Sequence, residues 1–128
     1  MKRLIILLVL GLVFANSLAA KPLLKLGREE NRKEFTIVKG QMIKILLSSN
    51  PTTGYDWHLD KLNLRYFRFV NSGFIRPSGK LVGAPGQKWF EIKAVRAGNG
   101  GVRLLYYRSW EGKKKAAEEY KVNFKINP

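Results

Sequence analysis

The side chains able to do chemistry are few and poorly placed for it. His58 is the single histidine, and it sits beside Trp57 in a segment that alternates like a strand. Asp56 and Asp60 flank it. In an extended chain those two carboxylates share a face but stand about 13 Å apart, too far for a paired-acid site unless the chain bends. There are no cysteines. A nucleophile needs a base within reach and a group to orient that base, so the common hydrolytic triads lack their parts. Thiolate metal sites are excluded in the same way, and no zinc spacing, phosphate-binding glycine loop or dinucleotide fingerprint occurs. The expectation is a protein that is not an enzyme, with no catalytic residue, no metal and no cofactor, and with His58 as a satisfied structural residue.

A different kind of chemistry is written in residues 48–57, SSNPTTGYDW. Pro51 fixes its own φ and biases Asn50 toward extended geometry. Thr52 and Thr53 have few χ1 rotamers. Gly54 can take positive φ and let the chain reverse. Tyr55 and Trp57 alternate with Asp56, so both can anchor the returning strand to one face. A loop this stiff loses little entropy when it docks, and its small threonines fit a narrow slot. Two further segments carry binding character. Val82–Gly86 is a glycine-rich loop running into a strand-like stretch, and Tyr107, Arg108, Ser109 and Trp110 end another. Arg and Trp are the types most enriched at binding hot spots.

The elements that must position these loops read as strands. Phe35 and Ile37 form one apolar set, and Ile43, Ile45 and Leu47 a second, with Met42 and Leu46 making its outward face partly apolar. Phe90, Ile92 and Ala94 follow, then Val102, Leu104 and Tyr106, then Tyr120, Val122, Phe124 and Ile126. Period two puts each set on one side of a sheet. Turn chemistry separates the runs at Lys39-Gly40, Asn71-Ser72-Gly73, Pro77-Ser78-Gly79, Gly83-Ala84-Pro85-Gly86 and Gly98-Asn99-Gly100-Gly101, the last read as a hairpin turn. Ala116–Tyr120 hints at a helical turn, and Lys21–Lys33, with several charges and little periodicity, is expected to be loose at its start. The fold class expected is all-β: an immunoglobulin-like antiparallel β-sandwich without disulfides. In such a sandwich the three loops fall at one end.

The first residues read as an export signal. Lys2 and Arg3 precede the apolar run Leu4–Phe14, and Ser17-Leu18-Ala19 offers small residues for cleavage after Ala19 or Ala20. The apolar run is shorter than the roughly 20 residues that span a bilayer. Residues 1–19 are therefore expected to be a signal peptide and residues 20–128 a single domain. The product would be secreted or periplasmic, or on the secretory or lysosomal route in a protozoan, and off the membrane once the signal is removed. At about 108 residues one core can stabilise the fold unaided, and a monomer is the default expectation. The formal charge is +15, falling to +13 without Lys2 and Arg3, which favours acidic partners. Tyr66, Phe67, Arg68 and Phe69, with Lys88, Trp89 and Phe90, could in principle stack on and neutralise a polyanion. Their alternation reads instead as core strand, and export argues against nucleic acid. Lys113-Lys114-Lys115 reads as a solvated turn that is also the densest charge for steering.

The three loop segments, in this order, resemble those of the chagasin family of cysteine-protease inhibitors. NPTTGYDW is similar to that family's first loop motif, Asn-Pro-Thr-Thr-Gly followed by an aromatic. VGAPG resembles its second, a Gly-x-x-Gly loop, and RSW its third, usually Arg-Pro-Trp. The resemblance runs from about Phe35 to Ile126. It departs at Ser109, where proline is usual, and a looser third loop is expected there. The resemblance implies a reversible, non-covalent inhibitor whose partner is a papain-like cysteine peptidase. Asn50, Pro51, Thr52, Thr53 and Gly54, with Tyr55, would form the plug over the catalytic cysteine. Gly83, Ala84, Pro85 and Gly86 would lie against one cleft wall, and Arg108, Ser109 and Trp110 would grip the other.

Overall fold

The structure is a computed structural model that describes residues 22–77, 79 and 84–128. The expected signal peptide, and Ser78, Lys80, Leu81, Val82 and Gly83, lie outside the described residues. Eight strands are present: β1 (Leu24–Leu26), β2 (Glu34–Val38), β3 (Met42–Ser49), β4 (Tyr55–Leu62), β5 (Phe67–Ile75), β6 (Gly86–Ala94), β7 (Gly98–Arg108) and β8 (Glu118–Asn127). They form two four-stranded sheets, ordered β1-β3-β6-β5 and β2-β8-β7-β4. Among the described residues the other elements are short 3₁₀ turns, and no helix is long and apolar enough to cross a membrane.

The alternating sets meet between the sheets. Ile43, Ile45 and Leu47 of β3 and Phe90, Ile92 and Ala94 of β6 face Val102 and Leu104 of β7 and Tyr120, Val122, Phe124 and Ile126 of β8, all buried. Burial of this apolar surface supplies the main drive to fold. Trp57 and Phe67 close the core at its flanks.

Several expectations are corrected. The sandwich is not wholly antiparallel: β1 pairs with β3 and β2 with β8 in parallel. Parallel neighbours need a crossover, and β1 reaches β3 by way of β2 in the opposite sheet. Lys21, at the start expected to be loose, lies outside the described residues, and the stretch after it is built into the fold. Leu26 is buried, Glu30 accepts from the Gly27 N–H at 3.0 Å, and the Tyr120 hydroxyl donates to the Gly27 carbonyl at 2.8 Å. Asn71-Ser72-Gly73 lies inside β5, and Gly98–Gly101 begins β7 instead of turning. Aromatic rings occupy the space their side chains would take: a Cβ on Gly73 would fall 2.6 Å from Trp89, and one on Gly100 2.7 Å from Phe67. The tract Ala116–Tyr120 is not helical. The turn comes earlier, at Lys113–Lys115, and β8 starts at Glu118. Phe67 and Phe90 are core residues as expected, but Phe69 is 48% exposed on the edge strand β5, and Trp89 is half-buried on the outer face beneath Lys44 Nζ at 4.7 Å.

Candidate functional site

The site is the pole of the sandwich where β3, β5 and β7 end. From β3 the chain enters a 3₁₀ turn, Pro51–Thr53, capped by Asn50. Asn50 is extended (φ −120°, ψ 94°), as the following proline requires. Its side-chain oxygen accepts from the Thr52 N–H at 3.2 Å and the Thr52 hydroxyl at 2.6 Å. Its carbonyl accepts from the Thr53 N–H at 3.2 Å and the Thr53 hydroxyl at 2.7 Å. Gly54 stands at φ 81° and closes the turn by donating to the Pro51 carbonyl at 3.0 Å. The threonines thus stiffen the loop by hydrogen bonds as well as by restricted rotamers. Their backbone remains at the exposed tip.

Below the tip an alternating pile of rings reaches the core. Trp57 lies 4.9 Å from Tyr106, and Tyr106 stacks on Tyr55 at 5.3 Å. The Arg108 guanidinium lies 4.5 Å from the Tyr55 ring and 6.0 Å from that of Trp110. Such aromatic and cation–π contacts add to simple burial. The Trp57 indole N–H donates to the Ser48 carbonyl at 3.0 Å, and the Tyr106 hydroxyl accepts from the Asn50 N–H at 3.3 Å. Tyr55 and Trp57 therefore do anchor one face of the returning strand.

The third loop leans on the first. Arg108 Nε donates to the Thr53 carbonyl at 3.1 Å. The Trp110 ring covers Gly54 so closely that a Cβ there would meet it at 2.2 Å, yet Trp110 remains 71% exposed. Arg108 also pairs with Glu111 at 3.5 Å. Among the described residues of the second loop, Ala84 lines a shallow groove with Asn50, Pro51, Thr52, Phe74 and Arg76, which places it beside the first. Pro85 is exposed. Gly86 is buried at the start of β6, opposite Ser49, and its missing Cβ leaves room for the Ile75 carbonyl and the Phe74 ring.

The acids and the histidine have other employment. Asp56 takes Lys88 at 3.5 Å and the Ser49 hydroxyl at 3.4 Å. Asp60, its side chain only 7% exposed, takes Arg103 at 3.0 Å and Lys113 at 3.4 Å. Arg103 is also bonded to Glu119, and that bond, with the nearby carboxylate charges, raises the guanidinium further above its ordinary value. His58 stacks on Tyr107 at 4.1 Å, but its Nε2 is buried with no hydrogen-bond partner among the described residues, so the expected satisfied histidine is held by stacking instead. Among the described residues no cluster of three or more acids, histidines and cysteines could hold a metal. Sequence reasoning missed Glu111 and the part Tyr106 plays at the pole. Tyr106 reads as one more core position until strand register sets it opposite Trp57.

Among the described residues, this pole joins a closed turn to a tryptophan laid over its glycine. The family model described as "Chagasin family peptidase inhibitor I42" matches residues 36–124. This chain belongs to the chagasin family. It is 33% identical to chagasin of Trypanosoma cruzi over 108 residues, covering 80% of this chain and 97% of that protein. It is 30% identical to amoebiasin-1 of Entamoeba histolytica over 87 residues, 68% of this chain and 84% of the relative. The crystal structure of the cysteine protease inhibitor EhICP2 from Entamoeba histolytica superposes with a TM-score of 0.73 at 27% identity, covering 82% of this chain and 96% of that one. The chagasin-type sandwich and its place among inhibitors, rather than enzymes, are thereby fixed.

Proposed function

We propose that this chain inhibits papain-like cysteine peptidases reversibly and without a covalent bond, with Asn50–Gly54 filling the cleft and the third loop gripping its rim through Trp110. The observation that carries the reading is the turn itself. The carbonyls of Asn50, Pro51 and Thr53 are already engaged, by Thr53, Gly54 and Arg108 respectively. Cleavage requires a scissile carbonyl in near-attack geometry, about 3 Å from the nucleophile and correctly aligned. A closed 3₁₀ turn with the carbonyls of Asn50, Pro51 and Thr53 held in hydrogen bonds fills a cleft without offering that geometry at those peptide bonds, so the plug blocks and is not consumed there. Family membership supplies the partner class, and the exposed Trp110 supplies an aromatic anchor of the kind that dominates interfaces.

The test is a titration of purified protein against papain or cathepsin L. Tight, reversible inhibition is expected, with intact inhibitor recovered afterwards. It should weaken by about tenfold or more when Thr52 and Thr53 are both replaced by bulky residues that cannot enter a narrow slot. Inhibition untouched by those changes would reject the plug. We further propose export, on the strength of Lys2, Arg3 and the Leu4–Phe14 run. Amino-terminal sequencing of the protein from its source should start at Ala20 or Lys21, and a start at Met1 would reject it.

A further inference from the structure

The third loop has a main chain with little built-in stiffness. The Glu111 and Gly112 N–H groups both bond the Arg108 carbonyl, at 3.0 and 3.2 Å. That makes Arg108–Glu111 a four-residue turn with Ser109 in its second position. Serine is permitted there, but it fixes φ far less than proline does. Ser109 and Trp110 are both exposed, so packing under the turn does not hold it either. Yet the Trp110 ring rests on Gly54, in the neighbouring loop.

One side chain accounts for that placement. Arg108 reaches Thr53 with Nε, lays its guanidinium plane over Tyr55 and places Nη1 3.5 Å from Glu111. It thereby touches the first loop, the strand that returns from it and the far side of its own turn. We propose that Arg108 is a positioning residue, which locks the first and third loops into one body in the free protein and presses Trp110 onto Gly54. Its effect on inhibition is exerted through Thr53, Gly54 and Trp110, not by touching the peptidase. Only a planar guanidinium can do this. It stacks on a ring while a nitrogen in the same plane donates sideways, whereas an ammonium is a point charge. Ordering the two loops before encounter removes the entropy that docking would otherwise cost.

The inhibition arm of the test rests on the proposed function, while the structural arm does not. Arg108→Lys keeps the charge and Arg108→Gln removes it. A clamp predicts that both weaken inhibition of papain alike, by about tenfold. Direct pairing with the enzyme predicts that lysine retains most of the inhibition. In the free proteins, the Gly54 α-proton resonances should carry a ring-current shift from Trp110 that both variants lose, with thermal midpoints close to the parent's. Ser109→Pro introduced into Arg108→Gln should recover part of the lost inhibition, because it stiffens the turn through the main chain. Retention of the Gly54 shift in both variants, or full inhibition by Arg108→Lys, would overturn the proposal. Should the parent protein fail to inhibit papain at all, the proposed function falls, and the Gly54 shift still decides the clamp.

Discussion

Gly54 is where the two loops meet, and its single missing carbon serves both. Its φ of 81° is the left-handed region that side chains avoid, and the Trp110 ring occupies the place a Cβ would take. Gly54→Ala should therefore cost about 1 kcal/mol of stability from the strained turn. It should also lift Trp110 off its seat and weaken inhibition by about tenfold or more. A urea midpoint and an inhibition constant on the same preparation separate the two effects. An unchanged inhibition constant would mean that the seat of Trp110 is irrelevant. Trp110→Ala removes the exposed anchor and leaves the loop chemistry in place. It should lose about 2 kcal/mol of affinity or more, while stability moves by only about 0.5 kcal/mol, as at most surface positions. At this scale the closed turn is readable from sequence, because Pro51, Thr52, Thr53 and Gly54 act on the chain within a few residues of themselves. The bond from Arg108 to Thr53 was not, since it joins positions 55 residues apart that only the fold brings together.

Among the elements, legibility followed how strictly each strand alternates. β8 buries Tyr120, Val122, Phe124 and Ile126 and exposes the residues between them, so its pattern has one reading. β5 does not alternate. It is an edge strand with an irregularity between Phe69 and Asn71, it leaves Phe69, Val70, Phe74 and Ile75 exposed, and its Asn-Ser-Gly tract carries turn chemistry. The start of β7 misleads in the same way, because glycine usually marks turns. Here the bare backbone lets the side chains of Tyr66 and Phe67 approach the strand closely, a long-range fit that no local pattern announces. β1 was hidden because a strand of three residues is too short to show a period. The packing explanation for the glycines is testable. Gly100→Ala puts a methyl group 2.7 Å from the ring of fully buried Phe67, and overpacking of this kind costs about 1–3 kcal/mol. Gly100 lies at the end of β7 away from Arg108, so the variant that remains folded should inhibit as the parent does. A urea midpoint equal to the parent's would show that the rings have room to spare.

Across the whole molecule, two long-range features act on the site without touching it. The excess of cations, +15 over the full chain, favours encounter with acidic surfaces and leaves the docked complex largely alone. The association rate with a peptidase of acidic surface should accordingly fall as salt rises from about 0.05 to 0.5 M, with dissociation nearly constant. Association indifferent to salt would remove the steering role. The second feature replaces what disulfides do in many exported domains: buried ties between distant parts of the chain. Tyr120 is 1% exposed, and its hydroxyl fastens β8 to Gly27 beside the first strand. Burial, with the negative charge of Glu30 adding to it, pushes its phenol well above the ordinary value of 10.0. The unfolded chain therefore releases this proton first. Tyr120 contributes its full stability below about pH 10 and loses it progressively as pH rises toward the folded value. The thermal midpoint of the parent should fall above pH 10 more steeply than that of Tyr120→Phe. The variant should be the less stable at pH 7 by about 1–3 kcal/mol, because it leaves the Gly27 carbonyl without its donor. The gap between the two should narrow as the solution becomes alkaline. Parallel midpoint curves from pH 7 to 11 would show that Tyr120 ionises as readily in the folded protein as in the unfolded chain.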